Sequence, residues 1–416
     1  MLRKDFIKIS AAALAGTCFL PQLLAGVPAN SKTIHLAIFG LGGMGLADMK
    51  AFATLPNVKI VALCDCDERA IKRALARLKS MGVPAETIET FFDYRQVFEH
   101  CKTRIDAAVV ATPDHSHFVV AMEAVKHKKH IFVEKPICKT VEQLRALTQA
   151  ANDAQLITQA GNQGAVSNLI RVAKEWIEAG VLGEITHVHA WTNRPVWPQG
   201  MRDEPAPEPC PAKLHWDLWL GDAKKRPYSK AIAPFNWRGW IDYGTGALGD
   251  MAQHVLNPAF FMLDLSVPVR IEAMINGATE IAFPLGSKIV FTFATHAHKA
   301  LPITWFDGDC VGKDFIVPDE AKSQIGGSIF YGTKNTLLVG SSGETIRLLK
   351  PFDKAELKQV RSRYPRIKGN IYRNWIDSLS GKNAFPPVAN FNAMQALTET
   401  VIMGAEAQTG KVPLII

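Results

Sequence analysis

The sequence predicts an α/β domain followed by an α+β domain, a doubly wound parallel sheet and then a mostly antiparallel open sheet. Three observations carry this. Apolar runs alternate with helix-like segments as far as about residue 155. Beyond that point, longer strand-like runs take over. A glycine-rich turn joins the first apolar run to the first helix-like segment. The chain has 416 residues, enough for two ordinary domains, expected at 30–155 and 156–416 behind a leader of residues 1–29.

The leader reads as an address. MLRKDFIKIS clusters positive charge, and AAALAGTCFLPQLLAG is apolar for the length of a signal-peptide core. VPA at 27–29 offers small residues for cleavage after Ala29. Pro21 and Gln22 interrupt the apolar run, so no stable membrane span is expected after processing. RKDFIK resembles the twin-arginine export signal with Lys4 in place of the second arginine, which points to the periplasm.

Composition excludes some partners. Apolar residues make up 48% and charged residues 21%, a globular profile. Of the formal charge of +8, +2 falls in the leader and the remainder is scattered, so nucleic acid is not an expected partner. The one basic cluster, Lys126, Lys128 and Lys129, suits a helix C-terminus. Cys18 leaves with the leader. The other six cysteines show neither CxxC nor metal-like spacing, and no metal is expected.

In TIHLAIFGLGGMGLADM, a strand from His35 to Phe39 runs into Gly40-Leu41-Gly42-Gly43-Met44-Gly45 and then a helix. The next strand, VKIVALCD, ends on Asp65, twenty residues past Gly45. This is the pattern of a Rossmann dinucleotide-binding domain. Gly40 permits the tight turn, Gly42 lets the pyrophosphate approach backbone, and Gly45 lets helix and strand pack closely. Gly43 and Met44 belong to the same cofactor-lining turn. Asp65 can accept hydrogen bonds from ribose hydroxyls and would repel a 2′-phosphate, so NAD is favoured over NADP. Arg69 keeps some NADP use open.

The alternation continues through IDAAVVATPDHSHFVVAMEAVKHKKHIFVEKPI. In such sheets ligands sit at the carboxyl ends of the strands. ATPDHSH at 111–117 and EKP at 134–136 both fall there, which puts Thr112, Pro113, His117, Glu134 and Lys135 beside the cofactor. Asn162 is expected to touch the cofactor as well, and Gln163 the substrate.

The glycine fingerprint, ATPDHSH and EKP, in this order, resemble the glucose–fructose oxidoreductase and inositol dehydrogenase family (Gfo/Idh/MocA). The resemblance implies a lysine, Lys135, between nicotinamide and substrate, able to orient or protonate a sugar oxygen. Pro136 allows either isomer of its peptide bond.

The second half begins with a helix over 167–179, ended by Gly180 and Gly183. ITHVHAW, VRIEAMI, KIVFTFAT, LPITWFD and TLLVG then read as strands. Residues 198–235, rich in Pro, Trp and charge, read as a long irregular loop of the binding or lid kind. In GALGDMAQHVLNPAFF, Asp250 and His254 share one helix face. A neutral histidine can take a hydroxyl proton while a nearby carboxylate orients the ring. The family motif often adds an acid three residues later, where Asn257 stands instead. Arg194, Trp197, Trp237 and Arg238 are expected to contact substrate, since flat rings stack on sugar CH faces. Trp191, His215, Trp216, Trp219 and Trp240 share the cluster, with half of the tryptophans expected to be structural. WDLWLGDAKKRPYSK resembles a secreted branch of the same family.

These features predict an exported NAD-dependent dehydrogenase acting on a carbohydrate hydroxyl, at C3 of a glycoside, with Lys135, Asp250 and His254 as its catalytic residues. Two alternatives stand beside it. One is an NAD-dependent redox-elimination glycoside hydrolase, whose family relatives tend to lack the EKP lysine. The other is a non-catalytic sugar-binding protein that keeps its cofactor. The resemblance also implies a homo-oligomer.

Overall fold

The computed structural model describes residues 32–295, 300–383 and 385–410. The expected leader, residues 1–29, lies outside the described residues. Six strands form the first sheet: β1 (Ile34–Phe39), β2 (Val58–Cys64), β3 (Glu89–Phe91), β4 (Ala107–Val110), β5 (His130–Val133) and β6 (Thr158–Ala160). Their order is β3-β2-β1-β4-β5-β6, and every pairing is parallel. Helices cover both faces, so β4 is buried throughout and β1 nearly so, which is why both read as continuous apolar runs. The sheet takes in β6, so the first domain reaches past the expected boundary at residue 155.

Seven strands form the second sheet: β7 (Ile185–Thr192), β8 (Arg270–Asn276), β9 (Gly286–Phe293), β10 (Leu301–Gly308), β11 (Gly326–Gly332), β12 (Thr336–Gly340) and β13 (Ile346–Leu348). The order is β13-β12-β11-β7-β10-β9-β8. All neighbours are antiparallel except β7 and β10. Alternation sends Val188, Phe291, Ile303 and Trp305 into the main core with Leu248 and Val401. The opposite face carries a smaller cluster of Trp191, Phe306, Phe315 and Ile329. The closing helix Phe391–Gln408 ties the domains together, with Glu399 bound to Arg145 of the first domain at 2.7 Å.

The stretch 198–235 differs from the expected irregular loop. It contains the helix Trp216–Leu220 and, with Trp237, Trp240 and Tyr243, builds its own core around Trp219 and Tyr228. Arg226 is buried there and is neutralised by Glu204 and Asp242, each at 2.6 Å. Tryptophan supplies the apolar area that so short a segment otherwise lacks. No helix among the described residues is long and apolar enough to cross a membrane.

Candidate active site

The site is built along the carboxyl edge of the first sheet. Gly40 has φ +84°, and a Cβ there would lie 2.5 Å from the Ala111 carbonyl oxygen. A Cβ on Gly45 would lie 1.9 Å from the Gly40 oxygen, so both positions require glycine for packing. Gly42 and Gly43 differ, because a Cβ on either would meet only open space among the described residues. That space borders the start of the helix Gly43–Ala53, whose first turn has no side-chain cap. Uncapped amides at a helix N-terminus bind phosphate. Met44, 39% exposed, flanks the opening.

Asp65 accepts hydrogen bonds from Leu41 N at 2.7 Å and Asp67 N at 2.9 Å, so it also fixes the glycine turn. Arg69 is exposed and held by Asp67, Nη2 to Oδ2 at 2.8 Å. Two carboxylates therefore stand at the ribose end, and the Arg69 guanidinium is already paired.

Further along the edge, Pro113 precedes the helix Asp114–Lys126. The ring nitrogens of His117 lie 2.7 Å from the carbonyl oxygens of Pro136 and Thr112. His117 thus braces two strand-end loops, with neither ring nitrogen left over for a ligand. Thr112 Oγ1 and Asn162 Oδ1 are buried and without a hydrogen-bond partner among the described residues. Unused polar groups on the sheet edge that carries the open glycine cradle fit a dinucleotide, because buried polar atoms are seldom left unpaired.

The helix Gly246–Val255 lies against this edge and is fastened at three points. Thr245 Oγ1 donates to Asp114 Oδ2 at 2.6 Å. Lys135 Nζ donates to Asp250 Oδ1 at 2.7 Å and to the Asp250 carbonyl at 2.9 Å. Asn162 Nδ2 donates to the Gln253 carbonyl at 2.8 Å. His254 follows on the Asp250 face, with Nδ1 unpartnered among the described residues. The Lys135–Pro136 bond is cis.

Charge is arranged around this contact. Burial pushes the Asp250 carboxyl up, but Lys135, aided by Arg238 and His254, brings it net below the usual carboxylate range. Burial and the Lys135 charge lower His254 to about 3, against a smaller opposing pull from Asp250. The imidazole is therefore neutral at physiological pH and keeps a free lone pair. Glu134 is buried, with Oε1 unpartnered among the described residues; burial, then the neighbouring Asp48, hold its carboxyl well above the usual range.

The expected substrate residues divide. Arg238 packs its guanidinium 4.3 Å from the Trp237 ring centroid and 5.7 Å from that of Trp197. Its charge reaches Asp250, which places it by the site. Trp197 and Trp237 are themselves buried, so they support Arg238 more than they offer a stacking face. Gln163 opens a short 3-10 helix beside Asn162. Arg194 binds Asn193 at 2.7 Å, with no contact to the Lys135 group among the described residues. Asn257 is buried at the start of the next helix.

Three residues here escape a reading of the sequence. Asp114 and Thr245 hold the helix Gly246–Val255 to the first sheet, and Asp48, on the helix that follows the glycine turn, accepts from the Tyr372 hydroxyl at 2.8 Å. Asp114 lies within ATPDHSH, so its motif is the available signal. Nothing local marks the Asp48–Tyr372 pair.

Residues 34–162 match the oxidoreductase family's NAD-binding Rossmann-fold domain, and residues 168–305 match that family's C-terminal alpha/beta domain. The chain belongs to the Gfo/Idh/MocA oxidoreductase family. Among curated Gfo/Idh/MocA relatives, a glycosyl hydrolase family 109 protein of Solibacter usitatus is 28% identical over 200 residues, 44% of each chain. A levoglucosan dehydrogenase of Pseudarthrobacter phenanthrenivorans is 25% identical over 238 residues, 56% of this chain and 52% of that one. The chain thus spans about half the length of these relatives. A Bordetella pertussis WlbA dehydrogenase structure, in complex with NADH and UDP-GlcNAcA, superposes with a TM-score of 0.62 at 17% identity, covering 92% of this chain and 100% of that one. An inositol dehydrogenase homolog from Azotobacter vinelandii, complexed with NADH and myo-inositol, gives 0.57 at 18% identity, covering 90% and 96%. The structural likenesses establish the two-domain fold, and the family match makes its first domain an NAD-binding Rossmann domain.

Proposed function

We propose that this protein is an NAD-dependent oxidoreductase that oxidises a hydroxyl of a ring sugar, at C3 of a glycoside. The observation that carries the reading is the contact of Lys135 with Asp250, one helical turn before a neutral His254, at the sheet edge beside the glycine cradle. Bound NAD supplies the hydride acceptor. Lys135 donates a hydrogen bond to the oxygen that becomes the ketone. His254 takes the hydroxyl proton, and Asp250 stabilises the imidazolium that results. Arg238, braced by Trp197 and Trp237, binds a neighbouring hydroxyl in this reading. The compounds named with relatives and fold neighbours, levoglucosan, inositol and a sugar nucleotide, are all ring polyols, which supports this class.

A second reading is favoured by the glycosyl hydrolase family 109 relatives. A C3 ketone acidifies the neighbouring C–H, which permits loss of the aglycone. Water then adds and the ketone is reduced again, so the net reaction is hydrolysis. Mass spectrometry of the protein with an alkyl β-glucoside and NAD separates the two. A product lighter by two hydrogens with its aglycone retained supports the dehydrogenase. Free aglycone with unoxidised sugar supports the hydrolase. With neither product, across glycosides, inositols and amino sugars, both fail.

We further propose export to the periplasm and pairing of subunits through the open face of the second sheet, where Met274 is exposed and His187 and Tyr331 are half-buried. Cell fractionation and light scattering of the purified protein test these two points.

A further inference from the structure

The segment 213–219 crosses the first domain from one side of the glycine turn to the other. On the β2 side, Glu68 N donates to the Lys213 carbonyl at 3.0 Å, and His215 N donates to the Cys66 carbonyl at 2.9 Å. Leu214 makes an antiparallel bridge with Asp67. The His215 ring stacks on Phe92, centroids 4.4 Å apart and planes 29° apart. On the β4 side, His115 Nε2 meets the Trp219 carbonyl at 2.8 Å, and the two rings lie 4.9 Å apart. His115 N also donates to the Tyr243 carbonyl at 3.2 Å. Since β1 lies between β2 and β4, this segment spans the mouth of the crevice above the turn of Gly40 to Gly45.

In a sheet of this order the adenosine half of a dinucleotide occupies the crevice between those strand ends. We propose that residues 213–219 form a strap over the adenosine half of NAD, which holds the cofactor in place through successive turnovers. The strap is not a loose loop, because the core of Trp219, Tyr228, Trp237 and Trp240 anchors it from behind. Release of NAD then requires opening at the β2 anchor, where His215 and Phe92 are exposed and backbone and ring contacts make the hold. This inference rests on the assignment of NAD to the first domain, and it gives His215 the part of a cofactor cover.

The test is cofactor exchange in the full chain. Protein saturated with NAD is mixed with an excess of isotopically labelled NAD, and bound label is followed by mass spectrometry after rapid gel filtration. Wild-type protein is expected to exchange its cofactor over many turnover times. His215→Ala and Phe92→Ala, each at an exposed ring, should speed exchange by up to about tenfold, the range set by one aromatic pair, with unchanged melting temperature. Exchange within a single turnover in the wild type, or variants that exchange at the wild-type rate, would overturn the strap. Hydride transfer to bound NAD is read on the same samples. Slow exchange without hydride transfer leaves the strap standing and sinks the proposed reaction. Protein that takes up no NAD sinks both.

Discussion

Lys135 Nζ sits 2.7 Å from Asp250 Oδ1 and 2.9 Å from the carbonyl oxygen of the same residue, so one side chain joins the sheet edge of the first domain to the helix of the second. Both partners are mostly buried, with side-chain exposures of 12% and 20%. Truncating one partner of a buried pair leaves the other charge uncompensated. Lys135→Ala should therefore lower kcat by about 10²–10⁴-fold, the range for a positioned proton-transfer group, and also lower the melting temperature. Asp250→Asn keeps the shape but removes the charge, and should lose kcat with a smaller thermal effect. Steady-state kinetics and calorimetry check the pair together.

His254 is the proposed proton acceptor. Its folded value is lowered from the usual histidine range to about 3 by burial and the Lys135 charge. The proton-accepting form is therefore present above about pH 3, and stability tied to the neutral ring is lost as pH falls from the unfolded value near 6.5 toward 3. The kcat/KM profile should show no inflection near 6.5 from this group. An inflection there that disappears in His254→Gln would contradict the assignment.

The glycines of one turn should separate by role. Gly45→Ala drives a methyl into the Gly40 carbonyl, 1.9 Å away, and should destabilise the whole domain. Gly42→Val places its side chain in open space, where the cradle expects a pyrophosphate. It should melt near the wild-type temperature yet lose NADH binding, measured by fluorescence titration.

Asp307 makes a pH-linked lock between the second sheet and the closing helix. Its carboxylate accepts from Ser287, Trp305 and, through Gln408, the closing helix. Burial raises its folded value to about 6 despite those bonds. A raised value means the folded state holds the proton longer than the unfolded chain, so this group's contribution is full below about pH 4 and is lost as pH rises through 6. A folded value one pH unit above the unfolded one corresponds to about 1.4 kcal/mol. Asp307→Asn should flatten the pH dependence of urea stability between about 4 and 6, where the wild type gains stability on acidification from this residue.

What the sequence disclosed was what chain-local chemistry can encode. The glycine turn, Asp65 at a strand end, and Asp250 with His254 on one helix face are all set by short spacings. Lys135 could be placed by sheet topology, since strand ends gather at one edge, although its partner is 115 residues away. Shorter or longer-range features stayed hidden. β3 and β6 are three residues each, too brief for a period to show. β11 opens with two glycines, Gly326 against the Trp191 carbonyl and Gly327 against the Trp191 ring and the Val339 carbonyl, so it lacked the usual strand composition. The satellite core hid behind prolines and charges that mark a loop, and only the burial of Arg226 among acids shows why those charges are there. Asp48 and Tyr372 meet across 324 residues, which no local pattern anticipates.

Deuterium transfer from substrate reports hydride transfer itself. An alkyl β-glucoside labelled with deuterium at C3 is incubated with the protein and NAD, and the recovered nicotinamide is analysed by mass spectrometry. Deuterium is expected on the nicotinamide in wild-type protein and is expected to be lost in Lys135→Ala and His254→Gln. Conversion of the glycoside with all label retained at C3 and none on the cofactor would contradict the proposed reaction.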